Sequence, residues 1–347
     1  MDGPAVAADG TRTPRRRRKV SLCAGHCTLQ GLFFALVLLT VASGAMLLLA
    51  MRPRGLEWRP DPRDAAVHAA PHDAPRRAYM LYATDAISVC NALIMAHHIR
   101  RLGTPTSIPI VVLVSTSMPP LTAAALATLT RVVMVDPWSQ PSHLGRKRVW
   151  RDSLTKLRIF EERGFDHVIY LDSDMWLHRN LDHLFDLPRS ILHAPAAYYV
   201  SSPTTLFAST LLVFAPSNGR LAALLDAARR GPPDAFDMDI LNDVWPRDRV
   251  AFLPPHYVVL NGDLNPDSTT LGFDSIDARI NATFATHFSA LPSGAYGKPW
   301  EVTSHHRRAK HNLSPRFLDL FELYWAAHDA LCPWLTKDKA KTNGWLS

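Results

Sequence analysis

The sequence contains no glycine-rich phosphate loop and no internal repeat, and the first of these absences argues against an ATPase or a dinucleotide enzyme. Cysteine is scarce, with only four residues: Cys23, Cys27, Cys90 and Cys332. Acidic residues are outnumbered, 31 against 38 basic ones, for a net charge of +7 over 347 residues. The excess is concentrated at the start, where Arg12, Arg15, Arg16, Arg17, Arg18 and Lys19 face only Asp2 and Asp9.

Beyond that basic cluster lies an uncharged apolar run from Gly31 to Met51. Its length of roughly 20 residues matches a bilayer-spanning helix. The preceding Arg run predicts a cytosolic amino end, so everything after Met51 is expected on the lumenal or extracellular side. A cleaved signal peptide is the rival reading, since Ser43 and Ala45 are small, but the run is long for such a segment. Beside a membrane span the Arg run is a topology signal rather than a nucleic-acid site. Cys23 and Cys27 then lie at the cytosolic edge, open to reversible acylation or left as free thiols. Cys90 and Cys332 would lie in an oxidising compartment, either paired or with Cys90 simply packed in an apolar helix. Asn281-Ala-Thr283 reads as a glycosylation acceptor, whereas Asn312-Leu-Ser314 is weakened by the adjoining Pro315.

From Arg52 to Arg77 the chain has no apolar period, and Pro53, Pro60, Pro62, Pro71 and Pro75 preclude regular helix, as expected for a solvated stem. The expected organisation is a basic tail (1–28), a membrane anchor (29–51), a stem (52–77), one α/β domain (78–335) and a tail (336–347). Within the domain, Tyr79–Thr84 reads as a strand, Val89–Leu102 as a helix stopped by Gly103, and Ile108–Val114 as a buried strand. Leu121–Thr130 then reads as a helix and Val132–Val135 as a strand. This alternation predicts a parallel, right-handed start. Further helices are expected at Lys156–Glu162, Leu181–Phe185, Leu221–Arg229, Asp237–Val244 and Arg316–Leu331. Strands are expected at Val168–Leu171, Leu211–Phe214 and Tyr257–Leu260. The stripe of Phe317, Leu320, Phe321, Tyr324 and Trp325 on the last helix reads as core rather than as a ligand site.

The strand Val168–Leu171 runs straight into Asp172-Ser173-Asp174. Residues i and i+2 of a strand share a side, so both carboxylates can face one object where the strand ends. Two anions that close repel unless a cation lies between them. Hard divalent cations take oxygen ligands and share them with substrate phosphates. The carboxyl end of a core strand is also where ligands sit in open α/β sheets. The competing reading is a loop whose aspartates cap a helix beginning near Asn180.

Six segments settle the weighting by their order: Thr84-Asp-Ala-Ile-Ser-Val-Cys-Asn-Ala-Leu93, Leu154-Thr-Lys-Leu157, Leu171-Asp-Ser-Asp174, Asn180-Leu-Asp-His-Leu-Phe185, Phe236-Asp-Met-Asp-Ile-Leu-Asn242 and His287-Phe-Ser with Gly297-Lys-Pro-Trp300. Over residues 78 to 330 the set resembles glycosyltransferase family 8, the glycogenin-like retaining enzymes. Within it the chain is most similar to fungal type II Golgi members, which include N-acetylglucosaminyltransferases. The resemblance implies a GT-A (Rossmann-like) nucleotide-sugar-binding domain, a UDP-sugar donor and Mn²⁺. It implies metal ligation by Asp172, Asp174 and His287, a mix of oxygens and one imidazole that suits Mn²⁺. It implies donor contacts from Tyr82, Thr84, Asp85, Lys156, Ser173 and Asp234, a diphosphate contact from Lys298, and a carboxylate at Asp237 beside the transferred sugar.

Several positions depart from the glycogenin pattern. Ser88 stands where a base-stacking tyrosine is expected, leaving Tyr82 as the substitute. Asp85 replaces an amide, Ala208 an asparagine and Met238 a glutamine, and His287 and Lys298 are five residues further apart than in glycogenin. The expected function is Mn-dependent retaining transfer of a hexose or N-acetylhexosamine from a UDP-sugar to a glycan or glycoprotein acceptor in the Golgi lumen. Asp237 and Lys298 are its expected catalytic residues. The alternative is an inactive binding protein on the same fold. A hydrolase is disfavoured, because Asp172 and Asp174 are too close in sequence to flank a glycosidic bond.

Overall fold

The computed structural model describes residues 75–138, 152–200, 205–264, 274–289, 297–300 and 315–335. The expected basic tail, the span at 29–51, nearly all of the stem and the tail from 336 lie outside these residues. Among the described residues no helix is long and apolar enough to cross a membrane.

Seven strands form the main sheet. They are β1 (Arg77–Ala83), β2 (Ile110–Ser115), β3 (Arg131–Val135), β4 (His167–Leu171), β6 (Leu192–Pro195), β7 (Leu211–Phe214) and β8 (Val250–Leu253). Their spatial order is β3-β2-β1-β4-β7-β6-β8. The chain first winds outward from β1 to β3 and then returns to place β4 on the other side of β1. All pairs from β3 to β4 are parallel, as the alternation of elements predicts. The β7 strand runs antiparallel to both β4 and β6, which the sequence did not disclose. A small second sheet joins β5 (Met175–Leu177), β10 (Ala285–His287) and β9 (Val258–Leu260), in the order β5-β10-β9.

The main sheet is buried on both faces, so its central strands read as continuous apolar runs. Alternation divides them between two cores. Tyr79, Leu81, Ile169 and Leu171 face one core, against helix α1 (Ala86–Arg101), the small sheet and the closing helix. Met80, Val168, Tyr170 and Phe214 face the other, with Leu157, Phe160 and Leu224. Helix α1 is apolar on nearly every side because it is enclosed. Asp85 caps it, accepting from Ser88 N at 2.8 Å while Ser88 Oγ accepts from Asp85 N at 2.9 Å. Gly103, at φ 98°, turns the chain away in a backbone region that favours glycine.

The other helices are α2 (Pro120–Ala124), α3 (Asn218–Arg230), α4 (Asp237–Val244), α5 (Ile276–Ala282) and α6 (Pro315–Leu331). Leu320, Phe321, Tyr324 and Trp325 of α6 are buried in the first core, so the aromatic stripe is structural. Cys90 of α1 and Cys332, just past α6, form a disulfide, which decides between the two readings of Cys90. Three expected helices take a tighter form. Lys156–Glu162 overlaps a 3₁₀ segment, Ser153–Phe160, that ends two residues earlier, and Leu181–Phe185 corresponds to the 3₁₀ turn Asp182–Asp186. Leu121–Thr130 divides into α2 and the 3₁₀ turn Ala125–Thr128. Short segments that must meet a sheet at fixed points gain little from helical propagation, and 3₁₀ turns serve as such connectors.

The Asn180-to-Phe185 segment has a structural role. Asp182 accepts from Tyr79 OH at 2.6 Å, Thr104 Oγ1 at 2.8 Å and Asn180 Nδ2 at 3.1 Å. It thereby fastens β1 and the end of α1 to the chain leaving β5.

Two deeply buried histidines make the fold acid-sensitive. Burial, reinforced by nearby cationic side chains, pushes His98 and His167 down from 6.5 to about 4. Between those values the unfolded chain binds protons that the folded chain refuses, so stability is full above pH 6.5 and falls as pH drops towards 4. The expected loss is up to about 3 kcal/mol per ring by pH 4. Thermal unfolding at stepped pH checks this: His98→Phe, which keeps a ring against Trp176 (4.2 Å between centroids), should flatten the slope. An unchanged slope would show that His98 is protonated in the folded state.

Candidate active site

The order reversal in the main sheet lies between β1 and β4, and in such sheets ligands bind at the crevice outside the strand ends. A cavity of about 580 Å³ opens there. From β1 and the start of α1 come Tyr82, Thr84, Asp85 and Ser88. From the end of β4 come Asp172, Ser173 and Asp174. Lys156 enters from the 3₁₀ segment, Asp237 from the first turn of α4, His287 from the end of β10, and Lys298 from beyond it.

Backbone pairing spreads the two acids. Asp172 N donates to Thr210 O at 2.8 Å, beside β7, whereas Asp174 O accepts from Phe288 N at 3.0 Å, beside β10. Each carboxylate therefore meets its own cation. Lys156 Nζ, almost wholly buried, lies 2.9 Å from Asp172 Oδ1 and 2.9 Å from Asp237 Oδ2. It also donates to Ser209 Oγ at 3.0 Å, and Ser209 Oγ donates to Asp237 Oδ2 at 2.6 Å. Tyr170 OH donates to Asp172 Oδ1 from below. On the other side His287 Nε2 is 3.3 Å from Asp174 Oδ1, and Lys298 Nζ pairs with Asp174 Oδ2. The competing reading of these aspartates as helix caps is thus excluded by their partners.

Electrostatics separates the pair. Burial raises Asp172 above the usual carboxylate range, since it outweighs the opposing pull of Lys156. Burial also acts on Asp174, but Lys298 and His287 together outweigh it and hold that carboxyl well below the range. Lys156 is held above its ordinary value: burial disfavours its charge, and Asp172 with Asp237 more than restores it. Burial raises Asp85 too, against the amide and hydroxyl of Ser88.

Single atoms of Asp172, Asp174 and His287 all lie within 4.8 Å of one another, the grouping expected of a metal site. Two carboxylate oxygens and an imidazole form a donor set that Mn²⁺ accepts. His287 Nδ1 is moreover buried with no hydrogen-bond partner among the described residues. The residues present fit a divalent cation.

The long His287-to-Lys298 spacing has a local explanation. Asn261, fully buried, accepts from Ser289 N at 3.0 Å and donates from Nδ2 to Gly297 O at 2.8 Å. This clamps together the two ends that carry His287 and Lys298. Trp300, beneath the Lys298 ammonium (5.5 Å to the ring centroid), packs on Tyr324 of α6.

One expected donor residue is misplaced. Asp234 is exposed and does not line the cavity; Asp239, in the first turn of α4, lines it instead. Asp234 lies in the turn before α4, so its side chain is carried off to solvent. Sequence reading also passed over Ser209, Tyr170 and Asn91, all at or beneath the cavity. Tyr170 was detectable, because it lies two residues before Asp172 on the same face of β4. Ser209 adjoins the noted Ala208, but nothing local marks it as the link between Lys156 and Asp237. Asn91 looks like an ordinary helix residue, yet its Oδ1 accepts from Tyr324 OH at 2.9 Å inside the core.

No family model matches the chain. Glucose N-acetyltransferase 1 of Gibberella zeae is 28% identical over 248 residues, 66% of this chain and 54% of that protein. Glycogenin of Neurospora crassa is 26% identical over 156 residues, 44% of this chain and 22% of that protein. The chain spans about half the length of the first of these relatives and less of the second. Among solved structures, an active-site mutant of LgtC superposes with a TM-score of 0.52 at 16% identity, covering 72% of this chain and 95% of that one. That likeness establishes the GT-A fold. In sequence the chain is similar to glucose N-acetyltransferase and glycogenin, glycosyltransferases of family 8, and in fold to the GT-A glycosyltransferases.

Proposed function

We propose that the chain is a metal-dependent retaining glycosyltransferase. It transfers a hexose or N-acetylhexosamine from a UDP-sugar to a glycan or glycoprotein acceptor. The observation that carries this reading is the convergence of Asp172, Asp174, His287, Lys156 and Lys298 on one cavity at the β1/β4 crevice. Transfer releases a nucleoside diphosphate, and the developing negative charge is what the site must stabilise. Asp172, Asp174 and His287 would hold Mn²⁺, which supplies Lewis-acid neutralisation of that leaving group. Lys298 can turn from Asp174 to the diphosphate, adding charge-assisted hydrogen bonds. Lys156 keeps Asp172 and Asp237 together in the absence of any ligand. Both contacts to Asp237 fall on Oδ2, so Oδ1 is left to approach the sugar. Retention results either from attack by Asp237 or from same-face attack by the acceptor hydroxyl, and trapping a glycosyl adduct on Asp237 tells them apart.

The setting we infer is the Golgi lumen, with a single-pass type II anchor at 29–51. The apolar run, its basic flank and the Cys90–Cys332 disulfide support it, since disulfides persist in oxidising compartments. The inactive-binder alternative draws on Ser88, Ala208 and Met238, but it leaves the complete metal set without a purpose.

Two outcomes test the reading. Asp172→Asn should cut Mn²⁺-dependent hydrolysis of the preferred UDP-sugar by about 10²–10³-fold, the usual cost of one lost electrostatic contact at such a site. Undiminished turnover would refute the metal role, and failure of Mn²⁺ to tighten UDP binding in calorimetry would favour the inactive binder. Lys156→Met should cost about 3–5 kcal/mol of stability, because it strands two buried carboxylates without their counter-charge. Denaturant unfolding with and without Mn²⁺ measures this, with partial recovery expected when the cation is present.

A further inference from the structure

We infer that Asn281 carries an N-linked glycan and that it is attached before the small sheet assembles. This rests on the lumenal placement proposed above, not on the transfer activity. The segment Asn281-Ala-Thr283 is an acceptor pattern whose two key side chains meet opposite fates in the fold. Asn281, in the last turn of α5, is exposed, and Arg179 contacts only its backbone oxygen. A bulky sugar on its carboxamide would project into solvent. Thr283 is 2% exposed, and its hydroxyl donates to Arg279 O at 2.7 Å, closing the end of α5.

The acceptor pattern requires the hydroxyl two residues beyond the asparagine to be reachable. In the folded domain it is not. The chain after Thr283 passes at once into Phe284, whose N donates to His256 O, and into β10, which pairs with both β5 and β9. Attachment must therefore precede the docking of β10. In the reaction, the Asn281 amide nitrogen displaces a polyprenyl diphosphate from C1 of a lipid-linked oligosaccharide. The C1–O bond breaks, a C1–N bond forms, the amide proton passes to a base, and the diphosphate leaves with the electron pair.

The glycan would not obstruct the cavity. The sequon precedes β10 while His287 ends it, and none of the described side chains from 277 to 284 lines the cavity. The buried Cys90–Cys332 disulfide is a second observation in favour, since it requires the oxidising compartment in which such glycans are added.

The test is expression of the full chain in a eukaryotic secretory host, then peptide:N-glycosidase treatment and mass analysis. The expected result is loss of one glycan-sized step from the wild type and from Thr283→Ser, with no such step in Asn281→Gln. Donor turnover in Asn281→Gln should equal that of the wild type. Asn312→Gln should retain the step, because Pro315 weakens the second pattern. An oxidised but unglycosylated chain would overturn the glycan alone, whereas a reduced and unglycosylated one would overturn the lumenal placement with it. Protein folded first in a bacterial host and then offered the oligosaccharyl-transferring enzyme with its lipid donor should remain unmodified; modification there would overturn the proposed order.

Discussion

The site depends on keeping like charges together away from bulk water. Asp172, Asp174 and Asp237 gather at one cavity, and isolated anions in such a place would shift or disperse. Lys156 and Lys298 prevent this, each from a different element. Lys156 is the more constrained of the two: it touches two acids and a serine from a position with 3% of its side chain exposed. Its burial is tolerable because all of its hydrogen-bonding capacity is used. The short 3₁₀ segment that carries it, and the antiparallel β7 that brings Ser209 and Thr210 alongside, have this arrangement as their common result.

The same arrangement assigns different tasks to two acids separated by one residue. Asp172 is anchored towards β7 and, through Lys156, Asp237, and Asp174 towards β10 and Lys298. A strand end alone would have aimed both at one point. Pairing with different neighbours opens them like a fork, so the cation proposed between them would also join the two halves of the cavity.

Much of this was legible in the sequence, and the reason is length and period. Long apolar strands such as β1, β2 and β4 declare themselves, as does the alternation that makes their pairing parallel. Short strands do so only when uniformly apolar, as Leu211–Phe214 is: Leu192–Pro195 contains a histidine and a proline, and Ala285–His287 has only three residues, one apolar, so neither shows a period. The grouping of Asp172, Asp174 and His287 was legible because two carboxylates and an imidazole are a restrictive combination and their motifs keep their order. Asp234 was misplaced because a carboxylate just before a helix can point to solvent as easily as to a cavity, and sequence does not record which. Ser209 was missed because its value comes from two partners, 53 and 28 residues away.

The clasp formed by Asn261 has an evolutionary corollary. By tying Ser289 to Gly297 it isolates the geometry of His287 and Lys298 from whatever joins them. Positions 290–296 can then vary in length and chemistry without disturbing His287 and Lys298. Under the proposed transferase reading, a lineage can remodel that connection to suit new acceptors while leaving its means of activating the donor untouched.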